Sequence, residues 1–330
     1  MKGQSLRYLP VCLFGAVMGL AGLVLSARAA ATALPGIVRA PAYFTEPWAA
    51  LGVLAFALLF PAYVVKWICY PGDARRDFTD PAQLGYCATL PVGMTLLAGA
   101  LAPYLPMLAD VLWWSAAVLL VLFQVWGILR VLEGGIELGQ VNGGWMILFV
   151  GGIVVPCGGI ALGHDEASRV LFGASAAATP FVMGLVFYRA VIAPPLPEAA
   201  RPTWFIFLVP PSLIYANGIT FFGEFAFLEN LFFFATVLAI ALLSYARDGM
   251  RWPFSAAWWA FTFPLDAYAY AAARYAQSHP SALWKGVAAA ALLAATLSVV
   301  LALARTIAAA VRGELLAPVA TPRSAASRAV

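Results

Sequence analysis

Asp266 is the residue of this sequence that most invites a chemical reading. It closes the run Trp258-Trp259-Ala260-Phe261-Thr262-Phe263-Pro264-Leu265-Asp266, which is otherwise apolar. An ionisable side chain at such a depth is costly and marks a pathway, a proton relay or a pairing between helices. Asp266 therefore reads three ways: it lines an aqueous path, pairs with a neighbouring helix, or carries a proton. Asp110 and Glu229 also sit in apolar surroundings, but early in their runs, where an acid meets the positive end of a helix dipole. Both read as structural. His164-Asp165-Glu166 has the composition of a metal or proton site. With His279 the only other histidine, a typical ligand set cannot be built, so the triplet reads as a solvated loop in which Asp165 or Ser168 caps the next helix. Cys12, Cys69, Cys87 and Cys157 form no CxxC pair, which argues against a disulfide framework and a zinc site. The sequence holds no HExxH, GxSxG elbow, Walker loop or GxGxxG turn. An intramembrane enzyme acting on a lipid or quinone would need Asp266, Tyr268 and Tyr270 at one cavity, and would still lack an acid–base or metal set. The expectation is a protein that is not an enzyme and needs no cofactor or metal.

The elements that position these residues follow from composition. Of 330 residues, 63% are hydrophobic and 10% charged, against about 25% charged in a soluble domain. So little polar surface excludes a water-soluble fold, and the same arithmetic excludes disorder. The net charge of +4 is a matter of membrane topology and not a nucleic-acid footprint. Ten apolar segments run at 8–30, 47–69, 83–101, 106–130, 143–162, 168–192, 203–222, 225–246, 254–275 and 283–311. Each is long enough to cross a bilayer, which takes about 20 residues. The loops are short, so consecutive helices are expected to be antiparallel neighbours. The first run is longer than the 7–15 residues of a signal-peptide core and is expected to be retained despite Ala27-Arg28-Ala29. Residues 1–312 are expected to form one transmembrane domain, and 313–330, rich in Ala, Ser, Pro and Arg, a disordered tail. If the N-terminus, the loops after even segments and the C-terminus share one side, that side holds fourteen Lys and Arg and the other five, which together make the nineteen present. Both termini are then expected to be cytoplasmic.

The prolines repeat. Every odd segment carries one in or near its apolar run: Pro10, Pro91, Pro156, Pro210 with Pro211, and Pro264. Among even segments only Pro61 and Pro180 are comparably placed. Proline removes a backbone donor and clashes with the preceding turn. Five kinked helices alternating with mostly unkinked ones suggest five hairpins, the kinked members facing an interior and the others facing lipid. A kink opens space at the axis, and a bulky ring beside it can close that space by blocking or dewetting. Phe263, next to Pro264, is the best placed ring.

At these residues the chain resembles the tellurite-resistance/dicarboxylate transporter family. That family includes the TehA-like bacterial channels, the fungal malate and sulfite carriers and the slow-type anion channels of plant guard cells. The resemblance spans about 1–312 and rests on an ordered set. Its members are Leu9-Pro10 with Phe14-Gly15, Leu90-Pro91, Val150-Gly151-Gly152-Ile153-Val154-Val155-Pro156, Arg201-Pro202-Thr203 with Pro210-Pro211-Ser212, and Trp259-Ala260-Phe261-Thr262-Phe263-Pro264. It implies an all-α membrane fold of five helical hairpins in a quasi-fivefold ring around a central pore. The kinked odd helices would line the pore, and the assembly would be a homotrimer. It further implies that Phe263 is the gate, faced by Gly15 of the first helix, and that the substrates are anions. These would be chloride, nitrate, malate and other dicarboxylates, sulfite and, by phenotype, tellurite. The chain departs from its relatives in two places. Leu148-Phe149 stands where related sequences often have a proline pair, and Asp266 follows the gate where a small or neutral residue is expected. A negative charge in a pore repels an anion by about 4 kcal/mol at 4 Å and an effective dielectric of about 20.

The expected function is a passive anion channel or carrier of the bacterial inner membrane, gated by Phe263. The alternative is a proton-linked C4-dicarboxylate carrier in which Asp266 supplies protonation or selectivity. The expected partners are small anions or dicarboxylates, the lipid bilayer and copies of the same chain, with no nucleic acid.

Overall fold

A computed structural model of the chain describes residues 6–36 and 41–316. The described residues are helical with no strand, and the protein is an all-α integral membrane protein. Among the described residues, nine segments are long and apolar enough to cross a bilayer. In chain order they are the first span Val11–Ala33, second Ala42–Cys69, third Pro81–Leu101, fourth Pro106–Leu132, fifth Gly144–Leu162, sixth Asp165–Ile192, seventh Glu198–Phe222, eighth Ala226–Tyr245 and tenth Ala282–Arg312. The ninth is assembled from a six-residue 3-10 stretch, Ala256–Phe261, that runs into the 17-residue α-helix Thr262–Ser278. All ten expected segments are therefore present, with ends moved by a few residues. The seventh begins five residues early because Glu198–Leu208 winds as an eleven-residue 3-10 helix across Arg201 and Pro202. The loop after the second span is itself helical over Pro71–Thr79, with Pro71 at its first position and Asp73 in its first turn. The expected tail falls largely on 317–330, outside the described residues.

The alternation anticipated from the prolines takes a definite form. Every even span is one continuous α-helix, in spite of Pro47 and Pro61 in the second and Pro180 in the sixth. Every odd span is interrupted by 3-10 winding. The first passes from 3-10 Val11–Phe14 to α at Gly15. The third passes through 3-10 Gly85–Ala88 before α resumes at Thr89. The fifth alternates twice, with 3-10 stretches at Gly151–Val154 and Ile160–Leu162. The seventh turns α at Val209 and the ninth at Thr262. Pro91, Pro156, Pro210, Pro211 and Pro264 all fall in the first turn of the α part, and Pro10 caps the 3-10 stretch of the first span. A missing N–H costs least at a helix start. These prolines restart helices more than they bend them.

Burial separates the two sets. Between 72% and 94% of the first, third, fifth and seventh spans is buried, against 17% to 33% of the even ones. Thirteen of the 17 residues of Thr262–Ser278 are buried. Each odd span packs on the even span that follows it. Among the odd spans the first touches the third, the third the fifth, the fifth the seventh, the seventh the ninth, and the ninth returns to the first. Glycine permits these approaches. A Cβ on Gly99 would lie 2.8 Å from the Cys157 carbonyl oxygen and 2.9 Å from the Gly158 Cα, so the third and fifth spans touch backbone to backbone.

Polar side chains hold the ends together. Lys66 is 2% exposed. Its Nζ donates to the Leu9 carbonyl at 2.8 Å and to Asp77 Oδ2 at 2.6 Å, and the Tyr63 hydroxyl donates to the same oxygen at 2.8 Å. One carboxylate thus ties the second span and the short helix Pro71–Thr79 to the chain entering the first span. At the opposite end Arg28 donates to the Gly99 and Ala100 carbonyls at 3.2 and 2.9 Å, groups that a helix C-terminus leaves unpaired. Breaking a buried pair by removing one partner costs about 3–5 kcal/mol. Lys66→Ala is therefore expected to lower the melting temperature in detergent markedly. Tyr63→Phe, which removes one hydrogen bond to the same carboxylate, worth about 1.5–3 kcal/mol, is expected to lower it less. Equal melting of the three proteins would show that Asp77 holds nothing together.

Candidate functional site

All five odd spans contribute to one enclosed cavity at the level of their 3-10 to α junctions. Its walls include Gly15 and Met18, Thr89 and Val92, Val150 and Val154, Val209 and Pro210, and Trp259, Phe263 and Pro264. None of its lining residues is charged. The free volume is about 40 Å³, where a site for a single water needs roughly 10–15 Å³ by the same measure. The cavity therefore holds a few waters at most, and apolar walls do not retain them well.

The hydroxyls near it are already engaged. Thr89 Oγ1 donates to the Val11 and Tyr86 carbonyls at 3.0 and 2.6 Å, and Thr262 Oγ1 donates to the Trp259 carbonyl at 2.8 Å. Their protons serve the carbonyls of the 3-10 stretches. The cavity itself is left apolar.

Phe263 is 4% exposed and lines this space. Gly15 lines it too, but what lies against Gly15 is Trp259: a Cβ there would sit 3.1 Å from the Trp259 Cβ. The first-span glycine in contact with Phe263 is Gly22, where a Cβ would lie 2.9 Å from Phe263 Cδ2. Gly19, between them, faces Thr262 in the same way. Positions 15, 19 and 22 repeat at helical spacing, so a single glycine stripe receives the ninth span. Phe263 and Gly15 thus both line the cavity, while the first-span glycine nearest the ring is Gly22. Of the candidate prolines, Pro210 and Pro264 reach the cavity wall; Pro10, Pro91, Pro156 and Pro211 act from behind it.

Asp266 does not line the cavity. It is 1% exposed, and neither carboxylate oxygen has a hydrogen-bond partner. It lies against the first span, where a Cβ on Gly22 would meet Oδ2 at 2.9 Å. The three residues of the enzyme reading diverge. The Tyr268 hydroxyl donates to Thr236 of the eighth span at 3.0 Å, whereas Tyr270 accepts from Arg274 at 3.4 Å. Among the described residues no three His, Cys, Asp or Glu side chains form a metal-sized group.

Beyond the cavity, toward the Arg28 end, polar groups reappear. Asn217 is 1% exposed and donates through Nδ2 to the Ile153 carbonyl at 2.8 Å, with Cys157 Sγ beside it at 3.5 Å. Arg274 donates to Tyr270 and, at 3.2 Å, to Thr220 Oγ1. Phe263, Tyr270 and Arg274 are seven and eleven residues apart, close to two and three turns, and so share one face of the ninth span. Also at this end, His164 Nε2 and Asp110 Oδ1 lie 2.6 Å apart, with the imidazole stacked 4.6 Å from the Trp113 ring. In the sequence Asp110 reads as a first-turn acid and His164 as part of a solvated loop. Nothing local signals a pair whose members stand 54 residues apart. His164, not Asp165 or Ser168, occupies the N-cap position of the sixth span, and it makes no side-chain cap bond.

If the glycine stripe sets the position of Phe263, Gly22→Ala must push on that ring. Overpacking of this kind costs about 1–3 kcal/mol, and a clear drop in melting temperature is expected. Gly184, in the sixth span, has nothing within 4 Å of its would-be Cβ, so Gly184→Ala is expected to melt like the parent or slightly higher. Identical behaviour of the two variants would remove the stripe from the argument.

Residues 8–307 match the family model described as SLAC1, voltage-dependent anion channel. The chain is 26% identical over 242 residues to an uncharacterised transporter of Methanocaldococcus jannaschii, covering 66% of this chain and 70% of that one. It is 29% identical over 133 residues to the guard cell S-type anion channel SLAC1 of Arabidopsis thaliana, covering 40% of this chain and 23% of the plant protein. It is 23% identical over 276 residues to the S-type anion channel SLAH3 of the same plant, with coverage of 82% and 43%. The alignments thus span less than half of each of these two plant channels.

Proposed function

The chain belongs to the SLAC1 family of voltage-dependent anion channels, and we propose that it is a passive anion channel or carrier of the bacterial inner membrane, closed by Phe263. The observation that carries this reading is the uncharged cavity shared by five broken spans, with Phe263 in its wall. The cycle of contacts among the odd spans supports a ring around that cavity as the conduction axis. With about 40 Å³ free, the cavity is too small for a continuous hydrated path, and in this reading conduction requires the Phe263 ring to move. An ion passing the junctions would then meet backbone dipoles with no fixed cation to hold it. Such a path binds weakly and passes ions quickly. It suits small inorganic anions first, with C4-dicarboxylates such as malate, sulfite and tellurite-related oxyanions as the wider substrate class. The excess of Lys and Arg at the Lys66 end supports a cytoplasmic side for both termini. Residues 1–312 act as one unit, and the lipid-facing even spans provide the surface for a homotrimer.

Arg274 supports the same reading from one side. It shares the face of Phe263, and its hydrogen bonds go to neutral hydroxyls, so its charge is available to attract anions toward the axis.

The test is current through purified protein in planar bilayers with chloride, nitrate, sulfite and malate in turn. Phe263→Ala is expected to pass a large anion current where the parent passes little. A correctly folded Phe263→Ala that stays silent for every anion and at every potential would overturn the gate assignment.

The unpartnered burial of Asp266 favours a second reading, a proton-linked C4-dicarboxylate carrier. It predicts uptake of labelled malate that rises as the external pH falls, because the proton travels with the anion. Asp266→Asn would flatten that dependence. Retained pH dependence in Asp266→Asn would exclude Asp266 as the coupling site.

A further inference from the structure

Arg189 lies in the last turn of the sixth span and is 4% exposed. Its Nε is buried without a hydrogen-bond partner, and no described residue forms an ion pair with its guanidinium. The nearest acid along the chain, Glu198, is engaged by Arg201 at 3.2 Å. What Arg189 does have is an aromatic neighbour: its Cζ lies 5.7 Å from the Trp204 ring centre. A guanidinium is always charged and offers five donors. Its Nε donor, shut off from solvent with no acceptor, is costly to leave unpaired, and the rest of the guanidinium opens into a groove. The acceptor is therefore expected to come from outside the chain.

The surroundings say what kind of molecule brings it. Arg189 lines a groove of about 410 Å³ formed by the sixth, seventh and eighth spans and the loop at Pro195. Apart from Arg189 its walls are apolar and aromatic, with Leu238, Ala241, Leu242 and Tyr245 supplied by the eighth span. Tyr245 is 48% exposed, in keeping with a ring at the headgroup level. The groove opens on the two outer helices, whose remaining surface is lipid-facing. It lies at the end of the molecule that carries the greater number of Lys and Arg. A free inorganic anion would satisfy the guanidinium but leave the apolar walls empty. A neutral lipid would fill the walls but bring no net negative charge. A molecule with an anionic phosphate at one end and a hydrocarbon chain at the other answers both.

We propose that this groove binds an anionic phospholipid of the adjoining leaflet, its phosphate on Arg189 and an acyl chain along Leu238, Ala241 and Leu242. The site is separate from the central cavity, so it stands whether or not the cavity conducts.

The experiment uses the full chain stripped of lipid in a neutral detergent. It titrates phosphatidylglycerol, phosphatidylcholine and inorganic phosphate, reading bound lipid by native mass spectrometry and melting temperature in parallel. Phosphatidylglycerol is expected to bind and to raise the melting temperature by several degrees, with little effect from the other two. Arg189→Gln is expected to weaken phosphatidylglycerol binding about tenfold or more, the scale of one lost charge-assisted contact. Ala241→Trp keeps the arginine and fills the groove, so it is expected to abolish lipid binding even if Arg189→Gln proves too unstable to purify. Undiminished phosphatidylglycerol binding by Ala241→Trp would overturn the proposal, as would equal binding of phosphatidylcholine by the parent. Stabilisation by inorganic phosphate alone would overturn it in favour of a free anion. An Arg189→Gln protein whose oligomer dissociates while its lipid binding is unchanged would overturn it in favour of a second copy of the chain as occupant.

Discussion

Every backbone N–H and C=O in a hydrocarbon layer must find its partner within the protein, and that constraint explains the arrangement of this molecule. A continuous α-helix meets it unaided, and the five even spans, which face outward, are of this kind. A helix that changes between 3-10 and α winding does not meet it everywhere. The five spans that do so are those buried by the others. Hydroxyls complete the accounting at the junctions, as when Thr89 bonds the Val11 and Tyr86 carbonyls. The outer layer is thus the condition that allows an irregular inner one, and the irregular inner layer encloses the cavity.

Close approach is the second requirement. Broken helices can meet around an axis only if their backbones come near, and this is where the glycines fall. Gly15, Gly19 and Gly22 receive the ninth span, and Gly99 and Gly158 bring the third and fifth together. The same stripe that allows contact places the Phe263 ring, since Gly22 leaves the room that its edge occupies. Packing and the position of the Phe263 ring are one feature in this fold.

Much of this was legible in the sequence. Ten apolar runs read directly as ten spans, and prolines at Pro10, Pro91, Pro156, Pro210 and Pro264 disclosed which members would be irregular. That signal is local: a proline acts on its own turn. Pairings between distant segments left no such trace. Lys66 with Asp77, His164 with Asp110, and Phe263 with Gly22 join residues whose neighbours in sequence look unremarkable. Gly15 was singled out because it follows Phe14 in a recognisable pattern, but only the helical rotation of the first span decides which glycine meets the ring. Arg189 escaped notice for a related reason. A basic residue at a span end normally reaches water, and burial by Trp204 and the eighth span is invisible from position alone.

Asp266 shows how placement changes the meaning of a charge. In the sequence it follows Phe263 and threatens any anion path by electrostatic repulsion. In the structure it turns from the cavity onto Gly22, with no cation beside it. An ionised carboxylate in that position would have neither water nor a partner, which is far more costly than a neutral one. As a neutral group it would exert no net charge on a passing ion, and the objection to anion conduction falls away. Arg274, by contrast, is held by neutral hydroxyls on the face that Phe263 shares, so its charge is undiminished. The ninth span thus has a cation near one end and an apolar ring in the cavity wall, with its one acid withdrawn into packing. On the proposed reading, that sequence of fields along a single helix would favour an anion over a cation without placing any charge in the cavity wall.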